Sequence, residues 1–135
     1  MSFQLTMNGI SGYASLEVVE NDGISPSTVL DRTTDFIVET EWNFRGPNVA
    51  NMGGEWHLTA YFESMGPQPE VAVPFGAAIP AGQSNYNRSI TIPANTIRED
   101  GVYKLVVALT HTDANGNLSK NAGYQELPEL LQFYS

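Results

Sequence analysis

With 135 residues, 41% hydrophobic and 16% charged, the chain has a globular composition that can bury one core, and a single domain over 1–135 is expected. Fifteen acidic residues against six basic ones give a net charge of −9. Such a surface repels phosphate backbones and anionic lipid, so neither a nucleic-acid partner nor membrane insertion is expected. Cysteine is absent, which excludes disulfides, thiolate metal ligands and thiol redox chemistry.

The opening MSFQLTMNGISGY has no basic region ahead of an apolar run, and nothing approaches the ~20 apolar residues of a membrane-spanning helix. A cytoplasmic chain fits these features. Leading strands are expected over 3–7, 14–19 and 28–30, those within 1–24 being additional N-terminal strands. Residues 15–21 have one helical turn as the alternative.

From Phe36 onward the period is two. Phe36, Val38, Thr40, Trp42 and Phe44 share one face against Glu39, Glu41 and Asn43 on the other. Trp56, Leu58, Ala60 and Phe62 repeat the pattern against Glu55, His57, Thr59, Tyr61 and Glu63. A short strand follows over 70–75, then Ile90 with Ile92, then Tyr103, Leu105, Val107 and Leu109. Each reads as a half-buried antiparallel strand. Gly46-Pro47, Gly53-Gly54, Gly66-Pro67 and Asn115-Gly116 separate the runs, the last being the tip of a hairpin. The final strand is expected over 124–134, with Pro128 at a bulge or an edge because it lacks an N–H. Seven to nine short strands with two tryptophans to bury call for two packed sheets. An all-β, antiparallel two-sheet sandwich is the expected fold.

The stretch Glu99-Asp100-Gly101-Val102-Tyr103-Lys104-Leu105 resembles the tyrosine corner of immunoglobulin-like domains. The resemblance covers roughly 25–135 and implies an immunoglobulin-like sandwich in which strand B is 36–44, strand E is 88–93 and strand F is 102–110. Trp56 then falls where the family buries a strand-C tryptophan, and the Tyr103 hydroxyl bonds upstream backbone. The chain departs from the family at the bridge, with Leu105 at the second cysteine position and Val38 or Thr40 at the first.

No G-x-S-x-G elbow, Walker loop or G-x-G-x-x-G is present, and neither a catalytic residue nor a cofactor is expected. Glu55, His57, His111 and Asp113 fall in one neighbourhood of such a sandwich. Parity turns His57 outward and His111 inward, so they do not converge on a metal, and none is expected. Asp113-Ala114-Asn115-Gly116-Asn117 looks like the start of a calcium loop but lacks the later glutamate and flanking helices; turn geometry explains it. Asn87-Arg88-Ser89 and Asn117-Leu118-Ser119 match the glycosylation sequon, a pattern short enough to arise by chance.

Two loops remain, 45–54 and 112–123, both longer than a hairpin requires and sharing one end of the sandwich. Asn48, Asn51, Met52, Asp113, Asn115, Asn117 and Asn121 are the candidate binding residues of that apex. A second candidate is the outer sheet face, where Tyr61, Val106 and Ala108, with Thr59 and Thr110, form an apolar patch between Glu63 and Lys104. The expected function is a non-catalytic interaction module that binds a protein partner, or a second copy as a homodimer, through either surface. A carbohydrate-binding domain using Tyr61, Tyr86 or Tyr124 as a platform is one alternative; a structural subunit of a larger assembly is another.

Overall fold

Alternating side chains commit most of the chain to strands, and the computed structural model, which describes residues 2–4, 11–20 and 26–135, contains no α-helix among them. In chain order the strands are β1 (Ser2–Gln4), β2 (Ser11–Glu20), β3 (Val29–Asp31), β4 (Phe36–Arg45), β5 (Glu55–Ser64), β6 (Val71–Pro74), β7 (Ile79–Pro80), β8 (Asn85–Ile92), β9 (Gly101–Thr112), β10 (Leu118–Glu126) and β11 (Leu131–Tyr134). The six long strands are those with the strongest alternation or length. The short ones raise the number among the described residues to eleven, above the seven to nine expected. The helical alternative at 15–21 is not taken through Glu20, because β2 pairs with β4 over its whole length. Of the strand expected over 3–7, only Phe3 and Gln4 lie within the described residues.

One sheet has the order β1-β2-β4-β8. The other runs β3-β11-β9-β5-β6, with β10 also on β9 and β7 on β5. All neighbours are antiparallel except β3 with β11, which run parallel. The two sheets face each other through aromatic rings. Phe44 of β4 stacks flat on Trp56 of β5, centroids 4.8 Å apart and planes 6° apart. Phe36 of β4 meets Phe62 of β5 edge-on at 5.8 Å and Phe133 of β11 at 5.4 Å. Alternation places these residues, since every second side chain of β4, β5 and β9 points between the sheets. The fold is an all-β two-sheet sandwich.

The last strand starts earlier than expected and is divided. β10 and β11 lie on the same edge of β9, the first along 106–112 and the second along 101–103. Pro128 falls in the gap between them, where no ladder bond is demanded of its missing N–H. Within β10 the register slips between Leu118, opposite Thr112, and Ala122, opposite Thr110. Four steps against two make a bulge over 119–121.

At the far end of β9 the tyrosine corner is formed. The Tyr103 hydroxyl donates to the Glu99 carbonyl at 3.2 Å, and its ring meets Phe133 edge-on at 5.5 Å. Burial, followed by the nearby Glu99 charge, holds its hydroxyl above the ordinary phenol value. Gly101 answers to crowding: a Cβ there would sit 2.8 Å from Gln68 Nε2, which donates to the Asp100 carbonyl at 3.1 Å. Arg32 Nε donates to Asp100 Oδ1 at 2.6 Å, and this bond holds the Asp100 carboxyl below its ordinary value, with a smaller contribution from Ser135. Tyr103→Phe keeps the ring but leaves the Glu99 carbonyl without its donor. Chemical denaturation should show a loss of about 1–2 kcal/mol with the fold retained; a neutral result would mean that the hydroxyl bond contributes nothing.

Candidate functional site

The apex is built where the β4–β5 loop meets the β9–β10 hairpin. After Arg45 the chain turns through Gly46 and a 3₁₀ turn at Val49–Asn51, whose Val49 is buried. Asn48 and Asn51 are exposed on this loop, with the Asn51 N–H bonded to the Asn48 carbonyl at 3.1 Å. Met52 is buried in the core. A methionine between Asn51 and Gly53 carries no alternation signal, and its candidacy rested on loop position alone. Met52 therefore packs in the core and does not stand on the surface of the apex.

The hairpin is shorter than the sequence suggests. Asp113 Oδ1 accepts the backbone N–H of Asn115 at 2.9 Å and of Asn117 at 3.0 Å, while the Gly116 N–H bonds the Asp113 carbonyl at 2.9 Å. The Asp113 carboxylate is committed to closing its own turn. Asn115 and Asn117 are exposed there. Asn121 is not at the apex: it lies in the β10 bulge, buried, with its N–H bonded to Ser119 Oγ at 3.1 Å. Exposure alternates through β10, and Asn121 takes the inward parity that it shares with the buried Gln125.

The two histidines diverge, as their parity predicts. His57 faces outward, its Nε2 3.1 Å from Thr112 Oγ1. His111 is buried against Trp56, with Nε2 2.7 Å from the Gly53 carbonyl and Nδ1 2.7 Å from Ser119 Oγ. A carbonyl only accepts, so Nε2–H donates to Gly53, while Nδ1 and the Ser119 hydroxyl share the second hydrogen bond. Both ring nitrogens are thereby used to fasten the β4–β5 loop and the β10 bulge to β9. Among the described residues no group of three or more His, Cys, Asp or Glu is placed to hold a metal ion. No helix among them is long and apolar enough to cross a membrane.

The outer face of the β5–β9–β10 sheet gathers more than the sequence suggested. Register puts Tyr61 beside Val106 and Thr59 beside Ala108, and it adds Tyr124 beside Ala108 from the far side. Tyr61 is 41% exposed and Tyr124 60%, and Leu118, opposite Thr112 on the same face, is 76% exposed. Val106 and Ala108 are half-buried between the two tyrosines. Spacing of ~4.8 Å per strand and ~3.4 Å per residue puts the two tyrosine Cα atoms ~12 Å apart. Charge lies at the two ends of the patch: Glu55 stands opposite Thr112 at one, and at the other Lys104 Nζ sits 3.0 Å from Glu126 Oε1, with Glu63 on the neighbouring strand. That bond to Glu126 raises the Lys104 ammonium above its ordinary value. Tyr124 and Leu118 do not declare this face in the sequence, because Leu118 sits in a stretch of loop-type residues that hides the start of β10. Tyr86, by contrast, is buried and offers no platform: its hydroxyl donates to the Pro80 carbonyl at 2.8 Å and accepts from the Gln83 N–H at 3.1 Å.

No family model and no curated protein matches the chain. Among solved structures it is similar to the soluble domain of PmoD from Methylocystis sp. ATCC 49242 (Rockwell), at 12% identity and a TM-score of 0.43 over 97% of both chains. It is similar to a Niemann-Pick type C2 protein from Japanese carpenter ant, at 9% identity and a TM-score of 0.47, covering 99% of this chain and 100% of that one. A β-glucosidase from Listeria innocua in complex with glucose gives 9% identity and a TM-score of 0.45 over 92% of this chain, which spans 16% of the glucosidase.

Proposed function

We propose that the chain is a non-catalytic, immunoglobulin-like interaction module that docks a protein partner on the outer face of its β5–β9–β10 sheet. The observation that carries this reading is the convergence of Tyr61, Val106, Ala108, Tyr124 and Leu118 on one solvent-facing surface free of charge at its centre. Rigid aromatic rings around a small apolar floor are the usual anchors of protein interfaces. The apex loops support the alternative less well, since Met52 and Asn121 are buried and Asp113 is spent on its own turn. The immunoglobulin-like reading rests on the tyrosine corner, the buried Trp56 and the parallel pairing of β3 with β11 beside β9. With a net charge of −9, a second copy docks most readily where acid is scarce, and the centre of this face, between Glu55 at one end and Glu63 and Glu126 at the other, is such a place.

Sedimentation across a wide concentration range tests self-association, and Val106→Glu tests the face. Val106→Glu places a charge between the two tyrosines and should weaken association with any partner at least tenfold, with an unchanged far-UV spectrum. A monomer at every concentration would remove the second copy as partner. Retention of partner binding by Val106→Glu would overturn the face. Two exposed tyrosines ~12 Å apart on one sheet face also favour a second reading, stacking of a sugar chain. A chemical-shift response of this face to oligosaccharides, absent with protein partners, would establish that reading in place of the first.

A further inference from the structure

On the opposite sheet, β8 is the terminal strand: it pairs with β4 from Asn85 to Ile92, and among the described residues no strand pairs with its other edge. The Phe44 N–H bonds the Ser84 carbonyl at 2.7 Å and continues this ladder. By alternation Tyr86, Arg88, Ile90 and Ile92 then exchange bonds with β4, while the N–H and C=O groups of Asn85, Asn87, Ser89 and Thr91 point outward. A separate contact agrees with that register, since Arg88 Nη1 donates to the Asn87 carbonyl at 2.8 Å, as an outward-facing carbonyl allows. Proteins usually block so long an edge with lysine, proline or a cover. Here the side chains at the outward-bonding positions are Asn, Asn, Ser and Thr, all exposed.

Beside this edge lies a depression of about 480 Å³ whose lining includes Glu17, Glu39, Glu41, Asn87, Arg88 and Ser89. Glu17 and Glu39 are direct cross-strand neighbours, and Glu41 stands two residues further along β4. The ion pairs among the described residues, Arg32–Asp100 and Lys104–Glu126, involve none of these carboxylates. Like charges directly opposite destabilise a sheet, so a cation laid between them relieves a built-in repulsion. A second copy joined edge to edge would set two such acidic surfaces side by side, which argues against self-pairing here. A strand added at β8 would lie ~4.8 Å from it and ~9.6 Å from β4. Lysine or arginine side chains reach across the small Asn87 and Ser89 toward Glu39 and Glu41 from that distance.

We propose that the free edge of β8 is a strand-addition site for an extended basic segment of a partner protein. The segment's backbone bonds Asn85, Ser89, Thr91 and the Asn87 N–H, takes the Asn87 carbonyl by displacing Arg88 Nη1, and lays its alternate lysines or arginines in the acidic depression. This site is separate from the β5–β9–β10 face and does not depend on it.

The test uses the full chain, isotope-labelled, with three synthetic probes: Thr-Lys-Val-Lys-Val-Lys-Thr, its glutamate counterpart, and a lysine peptide of equal charge interrupted by prolines. The first probe should slow amide exchange at Asn87, Ser89 and Thr91 at least about tenfold, and the other two should not. Glu39→Gln combined with Glu41→Gln should weaken binding of the first probe roughly three- to tenfold. Ser89→Pro removes only an outward-facing N–H, as edge strands tolerate, and should abolish the exchange effect while the β4–β8 amides keep their shifts. Equal binding of the acidic probe, or of the proline-interrupted one, would overturn strand addition by a basic segment. So would unchanged exchange at millimolar concentrations of the first probe.

Discussion

Trp56→Ala should cost about 3–5 kcal/mol, the range expected when a large aromatic side chain is deleted from a packed core. Trp56 is 1% exposed, stacked on Phe44 from the opposite sheet and tilted against His111 at 4.8 Å. Its removal therefore empties one of the ring contacts that join the two sheets and also loosens the histidine that fastens the apex. Chemical denaturation should show the midpoint falling sharply. Amide shifts near Gly53 and Ser119 should move as well, because His111 bonds both residues. A loss under about 1 kcal/mol would mean that the ring is not between the sheets.

Gly54→Ala should cost more than about 3 kcal/mol, although it adds only a methyl group. Gly54 has φ +85, and a Cβ there would lie 1.9 Å from the Thr112 carbonyl oxygen and 2.9 Å from the Asp113 backbone. Neither neighbour is a flexible side-chain end, so the end of β9 must shift away from the β4–β5 loop. Gly116→Ala supplies the control. Gly116 has a similar φ of +82 with nothing within 4 Å of the added atom, so it isolates the backbone strain alone at about 1–2 kcal/mol. Equal losses in the two variants would mean that the hairpin is not seated on Gly54.

The strands that face two ways were legible because burial writes itself as alternation. Phe36 to Phe44 in β4 and Trp56 to Phe62 in β5 show it, and the inward face of each is the buried one. Tyr103 was legible through its corner, where the preceding acid and glycine carry the geometry. The β10 bulge was not legible. Ser119, Lys120 and Asn121 look like loop residues, and they hide a strand whose exposure still alternates through the slip. The misplacement of Asn121 follows from that loop-like composition, and so does the late assignment of Tyr124 and Leu118 to the outer face. Met52 was misread for a different reason: a single apolar residue in a Gly- and Asn-rich loop has no neighbours at a fixed spacing to show that it turns inward. The Glu17–Glu39 apposition was beyond reach, because it depends on which residues of β2 and β4 stand opposite each other.

Tyrosine-selective footprinting tests the proposed docking face most directly, since the chain carries its own controls. Tyr61 and Tyr124 lie on the β5–β9–β10 face, Tyr13 is 52% exposed on the other sheet, Tyr134 is 46% exposed on β11, and Tyr86 and Tyr103 are buried. The chain alone should label at Tyr13, Tyr61, Tyr124 and Tyr134 and resist labelling at Tyr86 and Tyr103. In the associated state, Tyr61 and Tyr124 should lose most of their labelling while Tyr13 and Tyr134 keep theirs. Continued labelling of Tyr61 and Tyr124 at the level of Tyr13, in a sample shown to be associated, would contradict the account.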